Sequence, residues 1–198
     1  YIALLDHDDK LYNNALGEVI SYINQFNMPD ILYSDEETID KNGNKYNKPF
    51  FKPSWSPFLH LSVNYTTHLS IYKRKLVNKI GGFRVGYEGS QDYDLMLRMC
   101  EETKKNIIHI PHSLYQWRVH INSTAYDIDT KSYAIQAGEK SINEALKRRK
   151  INGKAIFEPE TKHYKLEIKP KNPSPLVSII ITNKNSLNLM ENCLSSIF

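Results

Sequence analysis

Residues 2–5, Ile-Ala-Leu-Leu, form a short apolar run that ends abruptly at Asp6-His7-Asp8-Asp9. A continuous run of this length predicts a strand buried in a parallel sheet, and with it an α/β fold class. In open α/β sheets, ligands bind beyond the carboxyl ends of parallel strands. Three carboxylates stand at such an end here, and carboxylates this close repel one another unless they share a cation. An oxygen-only ligand set suits Mg2+ or Mn2+, and Mg2+ is typically held by one or two carboxylates plus substrate phosphates. On spacing alone, an equal alternative is a strand-to-helix loop in which the Asp residues cap the next helix. An EF-hand is excluded, because the sixth and twelfth positions from Asp6 are Leu11 and Gly17. Asp9-Lys10 also lacks the threonine or valine that an aspartyl-phosphate phosphatase would place close behind its second Asp.

The rest of the chain alternates in the same way. Leu16, Val19, Ile20, Ile23 and Phe26 fall at helical spacing, with Asn13 as the expected N-cap. Residues 31–34 read as a second strand ending in Asp35-Glu36-Glu37, followed by a polar loop over 38–48. Residues 49–58 carry three prolines among Phe50, Phe51, Trp55 and Phe58, which predicts an ordered loop. Strands are expected at 69–72, 107–110 and 114–118, the last two separated around Pro111. Helices are expected at 75–80, 92–102 and 131–150. Residues 158–175, rich in Lys and Pro, read as an extended linker, after which a strand-like run (176–181) and an amphipathic helix (189–198) follow.

Composition narrows the function classes. With 40% hydrophobic and 24% charged residues, a 198-residue chain can build a soluble core. No apolar stretch approaches the roughly 18 residues of a membrane span. Cys100 and Cys193 sit far apart in apolar patterns and read as reduced thiols, so a cytoplasmic location is expected. The net charge of +4 includes the run Lys147-Arg148-Arg149-Lys150. A solvated helix end is its simplest reading, and attraction to anionic lipid or an anionic substrate is the alternative. Nucleic acid is not an expected partner, since the basic stretch lacks interleaved aromatics.

Two further constellations bear on chemistry. Gly89-Ser90-Gln91-Asp92-Tyr93-Asp94 puts two carboxylates after a glycine and at a helix start, where Asp92 could also be only a cap. Trp117-Arg118-Val119-His120 puts a histidine directly after a strand, where a lone His is more often structural than a ligand.

Read in order, Leu5-Asp6-His7-Asp8-Asp9, Ile31-Leu32-Tyr33-Ser34-Asp35-Glu36, Phe51-Lys52-Pro53-Ser54-Trp55-Ser56-Pro57, Gly81-Gly82-Phe83-Arg84, the segment from Gly89 to Leu95 with Arg98, and Trp117-Arg118 with His120, Ser123 and Thr124 are similar to one family. The chain resembles the family-2, GT-A type glycosyltransferases, in particular those that build bacterial surface polysaccharides. The resemblance covers most of residues 1–150. It implies a partial GT-A fold, a Rossmann-like α/β mixed sheet flanked by helices. It also implies transfer of a sugar, with inversion, from a nucleotide-diphosphate donor to a saccharide or lipid-linked saccharide acceptor. Asp6 and Asp8 match the Asp-x-Asp pair that contacts the donor. Asp8 and His120 match the ligands of Mn2+ or Mg2+, Asp92 the general base, and Gly82 and Phe83 the acceptor-side loop. Trp117 would shape the sugar pocket, and Gln91 stands on the acceptor side where many relatives carry Glu. Peripheral association with the inner face of the cell membrane fits such an acceptor.

The resemblance also bears on organisation. The chain does not begin with Met, and residues 176–181 resemble the family's opening strand, with Thr182 where Pro is usual. The expectation is residues 1–157 as the metal- and acceptor-binding part of one transferase domain, 158–175 as a linker, and 176–198 as the first strand–helix unit of a second. The run 176–182 is expected to dock on an open sheet edge, in cis or swapped from a neighbouring chain. A fragment of this kind is expected to be weak or inactive. Two other classes stay open: a non-catalytic carbohydrate-binding module on the same fold, and a metal-dependent phosphoryl-transfer enzyme.

Overall fold

The structure is a computed structural model that describes residues 1–119, 132–170 and 172–197. They fall into two units, Tyr1–Ile168 and Lys169–Phe198.

The first unit is an α/β fold around a five-stranded mixed sheet. Its strands are β1 (Ile2–Ala3), β2 (Lys10–Leu11), β3 (Ile31–Ile39), β4 (Ser70–Tyr72) and β5 (Ile108–Arg118), in the order β1-β4-β3-β5-β2. Only β3 and β5 pair in parallel. The apolar run at 2–5 therefore differs from its expected parallel setting. Ile2 and Ala3 pair antiparallel with Tyr72 and Ile71, and Leu4 N–H donates to Ser70 C=O, leaving Leu5 half exposed.

Helix α1 (Ala15–Gln25) buries Ala15, Val19 and Ile23 against Leu32, Ile110, Leu114 and Tyr115 of the sheet. Its N-cap is Asn14 rather than Asn13, and Leu16 and Ile20, counted with the apolar stripe, are exposed. After the single turn α2 (Leu59–Ser62) and the short α3 (Arg74–Lys79), helix α4 (Gln91–Glu102) is buried without a break from Tyr93 to Met99. Leu95, Met96 and Met99 pack on Ile31 and Tyr72, while Tyr93 and Leu97 pack on Ile142, Ala145 and Leu146 of α5 (Ser132–Arg148). A helix apolar on both sides belongs between two layers, and α4 lies between the sheet and α5. Among the described residues no helix is long and apolar enough to cross a membrane.

Three stretches differ from the sequence expectation for physical reasons. Strand β3 does not stop at its acidic cluster, because the acids meet cations or N–H donors: Asp35 meets His109 Nε2 at 2.7 Å and Lys52 N–H at 2.9 Å, and Glu36 meets Lys52 Nζ at 2.9 Å. Strand β5 runs straight through Pro111, because its pairing with β3 slips between Ser34 and Asp35 and again between Asp35 and Glu36. Those irregularities absorb the extra residues of β5. The expected linker contains a strand: β6 (Gly153–Glu158) and β7 (His163–Ile168) form an antiparallel hairpin. Tyr164 and Leu166 on β7 pack against the buried cluster of α4 and α5, so the first unit extends to Ile168.

In the second unit, α6 (Leu187–Ser195) forms near the expected place. The apolar run 176–181 carries no strand, and Leu176 and Ile180 are more than 90% exposed.

Candidate functional site

The turn after β1 is short and exposed: Asp9 N–H closes it on Asp6 C=O at 3.2 Å. Two residues of β5, more than a hundred positions away, fix its shape. Tyr115 Oη donates to Asp9 Oδ2 at 2.5 Å and accepts from Asp6 N–H at 3.2 Å. Arg118 donates its N–H to Asp9 Oδ1 at 2.7 Å and its Nε to Asp8 C=O at 2.7 Å, while Nη1 reaches Asp40 C=O and Lys41 C=O. Both oxygens of Asp9 are thus engaged by the scaffold. Burial pushes the Asp9 carboxyl above its usual range, the charges of Asp8 and Asp6 add to that, and the bonds from Arg118 and Tyr115 oppose it. The Asp8 carboxylate lies 3.8 Å from His7 Nδ1.

A cavity of about 1220 Å3 adjoins the turn. Asp6, Phe83, Gln91, Asp92 and Trp117 line it together, whereas Asp8 and Gly82 do not. His120 lies outside the described residues. Asp92 sits in the first turn of α4, a position that favours a carboxylate through the helix dipole. Its Oδ2 accepts from Asn64 Nδ2 at 3.0 Å, and Thr66 Oγ1 donates to Asn64 Oδ1 at 3.4 Å. Burial raises the Asp92 carboxyl above its usual 3.8, and the negative charge of Asp6 raises it further. The backbone N–H groups at the helix start and Asn64 pull the other way. Asp6 and Asp92 therefore feel each other across the cavity.

The backbone before α4 is shaped for this placement. Gly89 has φ +81°, and a Cβ there would lie 2.6 Å from the Ala134 Cβ. Only glycine serves at that position. The loop carrying Gly82 and Phe83 is held from below by Arg98, which donates to Ile80 C=O at 3.0 Å and Gly82 C=O at 2.6 Å. Arg98 is itself fixed by the buried Asp94 at 2.7 Å, and Arg84 pairs with the same carboxylate. Burial alone would raise the Asp94 carboxyl, but the hydrogen bonds from Arg84 and Arg98 outweigh it and hold it below the usual range.

The cavity wall behind the turn is aromatic. His68 stacks on Tyr115 with centroids 4.7 Å apart and tilts against Trp117 at 5.3 Å. Burial, with the nearby Lys52 charge, lowers the His68 imidazole to about 4, so it is neutral at physiological pH.

Among the described residues no three His, Cys, Asp or Glu side chains converge as a complete set. The hard oxygens of Asp6 and Asp8, with Asp9 withdrawn, fit a cation that takes its other ligands from phosphate and water. Reading the sequence assigned Asn64 and Tyr115 no role, and carried Arg118 and Asp94 only as members of quoted motifs without their partners. Their partners lie far along the chain, so no local pattern marks them, except for Asp94 and Arg98, whose i,i+4 spacing was visible.

No family model matches the sequence. The chain is 39% identical, over its full length, to part of the uncharacterized protein y4gI of Sinorhizobium fredii, of which it covers 22%. It is 33% identical, again over its full length, to part of the O-antigen biosynthesis protein RfbC of Myxococcus xanthus, of which it covers 15%. The chain thus spans about a fifth or less of the curated relatives it matches. A solved structure, residues 1–349 of TarS from S. aureus, is similar over 86% of this chain and 72% of that one, at 12% identity and a TM-score of 0.44.

Proposed function

We propose that this chain is part of a family-2, GT-A type glycosyltransferase that acts in surface-polysaccharide synthesis, transferring a sugar from a nucleotide diphosphate to a saccharide or lipid-linked saccharide acceptor. One observation carries the reading: Asp6 and Asp92 line one cavity from different elements, while Asp9 is withdrawn to shape the turn. The similarity to an O-antigen biosynthesis protein supports it.

In this mechanism Asp92 accepts the proton of an acceptor hydroxyl as that oxygen bonds to the anomeric carbon and the bond from that carbon to the diphosphate oxygen breaks. Attack from the side opposite the leaving group inverts the centre. Asn64 holds Asp92 Oδ2 and so fixes the orientation of the carboxylate. Asp6 and Asp8, with His120, would hold Mn2+ or Mg2+, and such a cation would supply positive charge to the leaving diphosphate. Phe83 and Gln91, on the loop and helix start beside Asp92, bound the acceptor side, and Trp117 bounds the sugar. Holding donor and acceptor in one cavity supplies much of the remaining acceleration.

The test uses the full-length protein with Mn2+ and a panel of nucleotide sugars. Turnover of one donor with sugar transfer supports the reading; phosphate release without transfer, or binding without turnover, overturns it. Asp92→Asn lowers turnover by about 10²–10⁴-fold with nucleotide affinity nearly unchanged, and equal loss of both refutes the base assignment. Because the Asp92 carboxyl is raised, activity falls on the acid side at a pH above the ordinary value of 3.8.

A further inference from the structure

Glu37 has no part in that chemistry, yet it lines the same cavity as Asp92. It is 1% exposed, and neither of its carboxylate oxygens makes a hydrogen bond among the described residues. Lys45 Nζ stands 3.0 Å from Oε2 as a counter-charge, but most of the lysine side chain is in solvent. The neighbours on β3 differ: Asp35 and Glu36 are each hydrogen-bonded to a donor. A buried carboxylate oxygen without a donor is costly, and a ligand that brings a donor recovers that cost.

The surroundings select the donor. Lys45 already balances the charge of Glu37, and Lys48 and Lys162 line the same cavity, so a second cation is disfavoured. A phosphate would meet the carboxylate with like charge. A neutral hydroxyl supplies the hydrogen bond and adds no charge. Phe50, whose N–H donates to Glu36 C=O at 2.8 Å, joins Trp117 and Phe157 in giving the cavity apolar faces around a few polar groups. We infer that Glu37 is the hydrogen-bond acceptor of a saccharide subsite, taking a sugar hydroxyl on its Oε1. The inference rests on the reading of this cavity as a sugar-transfer site, and it adds the residue that selects the sugar. The hydroxyl belongs either to the acceptor saccharide or to the sugar of the donor.

Two kinds of probe separate these sources in the full-length protein. Saturation-transfer NMR and calorimetry are run with methyl glycosides of glucose, galactose, mannose and rhamnose. The same measurements are run with the corresponding nucleotide sugars and the free nucleoside diphosphates. Glu37→Gln weakens a bound glycoside by about tenfold to a hundredfold if the hydroxyl is the acceptor's. If it is the donor's, the loss appears in the nucleotide sugar but not in its nucleoside diphosphate. Glu37→Asp, which keeps the charge and retracts the oxygen, shows the same loss and serves should the Gln variant not fold. Sugar affinities equal to those of the unaltered protein in both variants overturn the inference, and so does a protein that binds nucleotide but no sugar probe beyond it. Glutamate-dependent glycoside binding without any nucleotide-sugar binding would leave the subsite standing and remove the transferase reading.

Discussion

Residues 6–9 and residues 35–37 each gather three carboxylates within a few positions, and the fold treats them in opposite ways. In the first segment the acids stand in an exposed turn whose shape comes from outside, through Tyr115 and Arg118. Asp9 is taken by that clamp, and Asp6 lines the cavity. In the second, the acids are inside strand β3, and each is answered separately, by His109, by Lys52 and, more loosely, by Lys45. The clusters are near enough that the charge of Asp9 contributes to raising the Glu36 carboxyl, although burial is the main cause. The difference teaches that acids inside a strand are answered one by one by side chains and N–H groups from elsewhere in the chain, whereas acids in a turn are shaped together by two residues of one neighbouring strand.

The comparison is sharpened most by removing a cation from the buried cluster. Lys52→Met leaves Glu36 buried without its partner, and also frees His68 C=O from the same ammonium. Urea unfolding should show a loss of about 3–5 kcal/mol, the usual cost of breaking a buried pair from one side. A change within about 0.5 kcal/mol would mean that the two clusters are alike. Asp8→Asn tests the exposed cluster: turnover and Mn2+ affinity fall by about tenfold to a hundredfold. Arg118→Lys comes next. It loses the fork that joins Asp8, Asp40 and Lys41, costing about 1 kcal/mol of stability and a tenfold share of turnover. Lys45→Ala leaves the buried Glu37 without its counter-charge and costs about 1 kcal/mol, less than Lys52→Met because the Lys45 ammonium is mostly solvated.

Acid titration distinguishes a third arrangement. The Asp94 carboxyl is held low in the folded protein, so its contribution is present above the unfolded value near 3.8 and is lost as pH falls through the lower folded one. Asp94→Asn flattens that acid limb of the stability curve. The raised Glu36 carboxyl acts in the opposite sense: its contribution is full below the unfolded value of 4.5 and declines as pH rises through the folded one.

Much of this was legible in the residues. The apolar run into Asp6-His7-Asp8-Asp9 placed the turn, and helices at 92–102 and 131–150 were read within a few residues of α4 and α5. The meeting of Asp6, Phe83, Gln91, Asp92 and Trp117 in one cavity follows motifs that were read separately. The hairpin over 153–168 was missed because its Lys and Glu residues alternate with the packed Tyr164 and Leu166; composition hid a period of two. The passage of β3 through its acids was invisible because Lys52 and His109 arrive from elsewhere in the chain. The role of Asp9 was invisible for the same reason, since spacing cannot tell a clamp from a ligand.

Strand β5 has a consequence for how this chain can change in length. Its irregular pairing falls around the exposed Pro111 and His112, where side chains answer to solvent. From Tyr115 onward every position is in step with β3, and alternate residues face opposite sides. A deletion near Pro111 is taken up by the slack that already exists there. One residue lost after Tyr115 would turn Trp117 and Arg118 away together, so the aromatic wall and the clamp would fail as one. The strand is thus divided into a stretch open to insertion and deletion and a stretch where the reading frame of the fold is fixed.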